Sequence, residues 1–193
     1  MRHALTGLLM TLAWACSGGR QCEPALSRDA ALVAGLIADG PLADVRTEYG
    51  IAVITEWFPA RDLAEEVLLR WDDLGEVIGV SREEWERLLP RFDVEGSWDA
   101  EGLEGLGGVS CWDDDESAIQ ALVLHGSSKQ RETIEVEVSH PVVLPNGRIV
   151  IFVAHSPLAN WVAWGGGGAS LLVVLEPDGE DWRVVAMEAL FVS

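Results

Sequence analysis

Hydrophobic positions change their period part-way along the chain. Between residues 27 and 92 they recur every three to four positions, whereas beyond Glu132 they alternate or run together in short blocks bounded by turn residues. Leu32, Val33, Leu36 and Ile37 fall on one face of a helix that Ser27 can cap, that runs to about Asp39, and that Gly40-Pro41 stops. Tyr49 to Trp57 is rich in Ile, Val and Thr and contains Gly50, which predicts a strand, although a helix is compatible with the same residues. Pro59 introduces a helix from Ala60 to Leu74 on which Leu63, Val67, Leu68 and Trp71 keep the helical period. Ser81, followed three positions later by Glu84, is a capping box for a further helix to Leu89, ended by Pro90.

The second half reads as an antiparallel meander. Val136 and Val138 alternate with Glu135 and Glu137, which predicts a strand with one wet face, while the unbroken apolar run Ile149 to Ala154 predicts a central strand. Between them Pro145-Asn146-Gly147 favours a three-residue connection, a type I turn closed by a bulged glycine. In that register Leu144 faces Arg148, His140 faces Phe152 and His155 faces Glu137, so the two histidines point to opposite sides; a two-residue Asn-Gly turn would set them diagonally on one face. Pro141 then falls at a non-hydrogen-bonded pair, where its missing N–H costs the ladder nothing. A second turn is marked by Glu176-Pro177-Asp178-Gly179. The expected fold class is α+β, with amino-terminal helices and one strand packed on a carboxy-terminal antiparallel meander. Its parts are a helical portion at about residues 27–92, a loop at about 93–116 and the meander at about 117–193.

Trp57, Trp71 and Trp85 stand fourteen residues apart, a spacing shorter than solenoid repeats, and no other positions repeat with them; they read as core and surface tryptophans. Asp93 to Asp115, rich in glycine and acid, reads as a surface loop. The run Asp113-Asp114-Asp115-Glu116 lacks the alternating oxygen ligands and turn glycine of a calcium loop, and reads as a solvated segment.

Composition and charge remove several function classes. The 193 residues carry 13 Lys and Arg against 32 Asp and Glu, a net charge of −19. A surface of that sign repels nucleic acid, which needs clustered Lys or Arg. It suits a soluble protein in a crowded compartment, and it favours a cationic partner over an anionic one.

The amino terminus reads as an export signal. Met1-Arg2-His3 is a short basic start, Leu5 to Ala15 an apolar run of eleven residues, and Ala13-Trp14-Ala15-Cys16 a small-residue cleavage site. Eleven residues are too few to span a bilayer as a helix. Leu12-Ala13-Trp14-Ala15-Cys16 resembles a bacterial lipobox, in which the cysteine takes a diacylglyceryl group and becomes the new amino terminus. On that reading residues 1–15 are the signal peptide, 16–26 a tether and 27–193 one domain, anchored to a membrane through Cys16. Ser17 is not the Asp that commonly retains lipoproteins in the inner membrane, so an outer-membrane destination is favoured in a cell with two membranes. Ordinary cleavage after Ala15 is the alternative, giving a secreted or periplasmic soluble protein. Three cysteines are present, and lipidation of Cys16 leaves Cys22 and Cys111 as one disulfide pair for an oxidising compartment.

Candidate chemistry is sparse. A metal site on His140 and His155 needs a third ligand from His125 or a carboxylate, and the spacing matches no zinc motif, so neither metal nor cofactor is assigned. The expected His155–Glu137 contact would be pH-sensitive. Gly165, Gly166, Gly167 and Gly168 lie in a span, Ile149 to Trp182, that contains no Lys or Arg, which argues against a phosphate loop. These glycines form a turn between strands, or with Trp161 and Trp164 an aromatic groove for a ligand or partner, beside His155. Ser110 and Ser170 lie near glycines without completing a nucleophile elbow, and no catalytic residue is assigned.

Ser139-x-Pro141, Asn146-Gly147, the glycine run, Gly179-x-x-Trp182-x-Val184 and the closing Phe191-Val192-Ser193 together resemble the end of a group of bacterial exported proteins that has no established activity. The likeness covers Ser139 to Ser193 and extends faintly to Ser27–Leu89. Many members carry cysteines in the glycine-rich segment and this chain has none there, so it implies architecture alone. The functional expectation is a non-catalytic envelope lipoprotein that binds a protein or a small envelope ligand. Two alternatives stand beside it: a hydrolytic or metal-dependent envelope enzyme using His140, His155 and a carboxylate, and an immunity-type protein that neutralises a basic toxin.

Overall fold

The computed structural model describes residues 28–38, 40, 42–43, 50–106, 108–113, 133–157, 168–178 and 181–192. Among them lie four α-helices: α1 (Arg28–Ala38), α2 (Arg61–Leu69), α3 (Trp71–Ile78) and α4 (Arg82–Leu88). The strands are β1 (Gly50–Trp57), β2 (Gly96–Ser97), β3 (Val109–Trp112), β4 (Thr133–Val138), β5 (Val142–Val143), β6 (Ile149–Pro157), β7 (Ala169–Asp178) and β8 (Asp181–Val192). All eight join one sheet in the order β2-β1-β4-β6-β7-β8, with β3 on β1 and β5 on β6. β1 runs parallel to β3 and β4, and the remaining pairs are antiparallel. The fold is α+β, as the change of hydrophobic period predicts.

Helices cover both faces of this sheet, and β6 explains why. Successive strand residues point to opposite faces, so an unbroken apolar run needs cover on each. Ile149, Ile151 and Val153 enter one core with Leu32, Val33, Leu36 and Ile37 of α1, Val136 and Val138 of β4, and Val173 and Leu175 of β7. Val150 and Phe152 enter a second core with Ala64, Val67, Leu74, Ile78 and Trp85 of α2–α4, and Leu172 and Val174 of β7. Each large apolar side chain so buried contributes roughly 1.5–3 kcal/mol of transfer free energy.

The helical layer is held by aromatic contacts and one cap. Ring centroids step from Trp71 to Trp85 at 6.0 Å, to Phe92 at 5.1 Å and on to Phe152 at 5.4 Å, carrying the second core into β6. The buried Trp85 Nε1–H donates to the Ala64 carbonyl at 2.9 Å. At the start of α4 the Ser81 hydroxyl accepts the Glu84 N–H at 3.2 Å, and the Ser81 N–H donates to the Glu84 carboxylate at 2.8 Å, the predicted capping box. The Ser81 backbone N–H, and then its hydroxyl, hold the Glu84 carboxyl below its ordinary range. Trp57 instead stacks on Trp98 at 5.3 Å in the α1-side core. The evenly spaced tryptophans thus serve two different cores.

Three local expectations are corrected. The helix predicted over Ala60–Leu74 is two, α2 and α3, broken at Arg70 with φ −107° and ψ 23°. No Pro or Gly marks the break, and Arg70 Nη1 donates to the Ala189 carbonyl of β8 at 2.8 Å, a tertiary bond invisible to local periodicity. The segment Asp93–Asp115, expected as a surface loop, contains β2, a 3₁₀ turn at Leu103–Gly105 and β3, and it buries Trp98, Leu103 and Val109. Strands of two and four residues are too short to show a period. The wet face expected for β4 is not wet at Glu135, which is 6% exposed.

The hairpin before β6 has the predicted three-residue turn: Leu144 N–H donates to the Arg148 carbonyl at 2.8 Å, Gly147 N–H to the Leu144 carbonyl at 3.0 Å, and Gly147 takes φ 84°. The register then slips. Val142 pairs with Val150 as expected, but Val138 pairs with Val153, so the stretch Ser139–Pro141 absorbs one extra residue. Pro141 sits in that irregular stretch rather than at a regular pair. Ser139, fully buried, donates its N–H to the Phe152 carbonyl at 2.9 Å, and its Oγ accepts the Phe152 N–H at 2.9 Å in place of a ladder carbonyl. Ser139→Ala should therefore leave a buried N–H without its acceptor and cost about 1–3 kcal/mol in urea unfolding. An unchanged unfolding free energy would show that the hydroxyl does not hold the slip.

Candidate functional site

Of the residues singled out from the sequence, Cys16, Cys22, His125, Trp161, Trp164, Gly165, Gly166 and Gly167 lie outside the described residues, as do Asp114 to Glu116. Cys111, His140, His155 and Gly168 lie within them. Cys111 is half-buried on β3 and packs against the α1-side core. Gly168 immediately precedes β7, and His155 near the end of β6 pairs with Ala169, so residues 158–167 join the two strands at this end of the sheet.

The slip at Ser139 changes the surroundings of both histidines. His155 opposes Val136, not Glu137; Glu137 opposes Ala154 on the other face. The expected His155–Glu137 contact is therefore absent from the register. His155 shares its face with Ile149, Ile151 and Val153, on the α1 side. His140 sets its ring edge-on to Trp57 at 5.7 Å, also in the α1-side core. The histidines thus lie on one side rather than opposite sides. They are separated along the strand, because His155 faces Val136 and His140 follows four residues later, on the order of 13 Å away. They do not converge on one constellation. Among the described residues no group of three or more His, Cys, Asp and Glu could hold a metal ion.

Half-burial pushes the His155 pKa below its ordinary 6.5. A folded-state value below the unfolded one means that the unfolded chain binds the proton more readily. The neutral ring's contribution to stability is complete above 6.5 and is lost as pH falls through the folded value. His155→Gln should flatten this part of the acid limb when stability is measured just below pH 6.5; an unchanged pH slope would contradict the assignment.

Beside His155 the α1-side face opens to solvent. Leu171 pairs with Ala189, and Val173 with Met187. Val173 is buried, Leu171 half-buried, and Ala189 and Met187 exposed, Met187 at 48%. This apolar strip at the sheet margin adjoins the start of β7, into which the Trp161–Gly168 segment leads.

A second concavity, of about 510 Å³, is lined by Glu76, Gly79, Asn146, Arg148, Glu176 and Pro177. Its polar groups are occupied in joining the hairpin turn to the carboxyl end of α3. Asn146 Nδ2 donates to the carbonyls of Ile78 and Gly79 at 3.1 and 2.9 Å, and Arg148 Nη1 donates to that of Val77 at 2.8 Å. These are carbonyls that a helix end leaves without partners. Gly79 takes φ 76°, and a Cβ there would lie 2.9 Å from Arg148 Nη1, so the join requires glycine. Glu176 faces Arg148 at 3.7 Å and also pairs with Arg183.

No family model, curated protein or solved structure matches the chain. The class that fold and site define is an α+β domain with helices on both sheet faces and an apolar strip at one margin. Among the described residues no helix is long and apolar enough to cross a membrane.

Proposed function

We propose that the protein is a non-catalytic binding protein of the bacterial envelope, tethered through lipid on Cys16, which contacts a protein partner through the margin formed by Leu171, Met187 and Ala189 and through Trp161 and Trp164. The observation that carries this reading is the exposed apolar strip at the end of the sheet into which that tryptophan-bearing segment leads. Apolar contact area and aromatic side chains together are the composition of an interface centre. The acidic surface around it favours a partner of net positive charge, which electrostatic attraction would steer to it.

The tether and the disulfide belong to the same reading. The lipobox-like Leu12-Ala13-Trp14-Ala15-Cys16 supports the anchor. The position of Cys111 against the α1-side core supports its pairing with Cys22, since Cys22 lies only six positions before Arg28, the start of α1 on that same face. Such a closure contributes about 2–4 kcal/mol.

A crosslinking capture from intact envelopes, run with the wild type, Cys16→Ser and the double variant Trp161→Ala/Trp164→Ala, tests the proposal. The wild type should partition with membranes and carry one stoichiometric crosslinked partner. Cys16→Ser should move to the soluble fraction, and the tryptophan variant should stay on the membrane and lose the partner. Membrane retention of Cys16→Ser would contradict the anchor, and undiminished capture by the tryptophan variant would contradict the binding margin.

A further inference from the structure

β8 is the last strand of the sheet, and among the described residues no strand pairs with its outer edge. It is twelve residues long and contains neither Lys nor Pro, so its two bulges and its charged side chains are the edge protection it carries. Its pairing with β7 shifts register twice, between Val174 and Leu175 and between Ser170 and Leu171. The partner residues identify Val185 and Leu190 as the extra residues, and both turn toward the second core, that of α2–α4. Counting each extra residue with its neighbour, Trp182, Val184, Met187 and Ala189 share the α1-side face, and Arg183, Ala186, Glu188 and Phe191 share the other.

This arrangement is self-complementary. Two antiparallel copies of one strand related by a two-fold axis normal to the sheet keep each residue on its own face, so only certain registers are allowed. In the register centred on the Val185–Ala186 bulge, counted as one position because both side chains turn to the α2–α4 side, that position faces its own copy. Arg183 then faces Glu188 of the second molecule, and Glu188 faces its Arg183. Both pairs lie on one face, at equal distances from the axis. Opposite charges placed directly across an antiparallel pair stabilise it, and like charges oppose it. Arg183 already meets Glu176 of its own chain and stays 62% exposed, so its fork has donors left for a second carboxylate. The Ala189 carbonyl accepts from Arg70, which places the end of the new ladder at Glu188.

From this complementarity we infer that β8 is a self-association edge: two copies of the chain pair through it in antiparallel fashion, with reciprocal Arg183–Glu188 contacts across the two-fold axis. The dimer is a single sheet continuous through both molecules. The apolar strips of the two copies meet across the seam on one face, each bringing Met187 to the joint. Long-range repulsion between two chains of net charge −19 is damped at physiological salt, where the screening length is about 8 Å, shorter than the reach of the whole-molecule charge but not of a contact pair. The inference does not rest on the proposed partner or on the tether, and Met187 of the proposed binding margin lies at the seam.

Sedimentation equilibrium of the full purified chain, as wild type, Arg183→Glu, Glu188→Arg and the two variants mixed in equal amounts, decides it. The wild type should run as a dimer. Each reversal alone sets like charges across the axis twice and should weaken self-association by at least about tenfold. In the mixture every acidic position meets a basic one, and the dimer mass should return. Glu188→Arg leaves the Arg183–Glu176 contact untouched, so it separates the interface from the fold, and the return of the dimer in the mixture shows both variants folded. A monomeric wild type at every concentration up to the solubility limit, reversals that dimerise like the wild type, or a mixture that stays monomeric would each overturn the inference.

Discussion

Burial of β6 on both faces is the constraint on which the described structure depends. Ile149, Val150, Ile151, Phe152 and Val153 are all within 1% of complete burial, and they alternate between the two cores, as Leu172 to Leu175 of the neighbouring β7 also do. The alternation sends α1 to one side and α2–α4 to the other. It also dictates what β4 must do. Had the turn register continued past Pro141, Glu137 would face His155 and the glutamates, not the valines, would project toward α1, because a shift of one residue exchanges the faces of a whole strand. The extra residue at Ser139–Pro141 returns Val136 and Val138 to the α1-side core, and the Ser139 hydroxyl supplies the hydrogen bond that the slip removes from Phe152.

Features that were legible in the sequence are those decided locally. The Ser81–Glu84 box, the Pro145-Asn146-Gly147 turn and the amphipathic stripe of α1 each need only neighbouring residues, and each forms as read. The unbroken run Ile149–Ala154 could be placed centrally because only double burial accommodates such a run. The misreadings are decided at a distance. The α2–α3 break answers to a bond from Arg70 to β8, β3 exists because it lies alongside β1, and the slip before β6 answers to the demands of a core on the far side of β4.

The same division runs through the candidate site. His155 could be picked out by residue type, but its neighbour could not, because the register between turn and β4 is not uniform. The Leu171–Met187–Ala189 margin left no signal at all: Val185 and Leu190 interrupt the alternation of β8, so that the strand reads as apolar on both faces and hides which side chains reach solvent. The lipobox-like Leu12–Cys16 stretch is the reverse case, read as residues alone and lying outside the described residues.

The dependence of both helical layers on one strand is tested most directly by native-state hydrogen exchange on the β6 amides, Ile149 to Val153, across a series of sub-denaturing urea concentrations. If β6 is the shared spine, these amides exchange only through the global opening, and the protected amides of α1 and α4 merge with them into one opening as urea rises. Continued protection of β6 after either helical layer has opened separately would contradict that account, since the exposed face of Ile149–Val153 could not then be essential to the strand's stability.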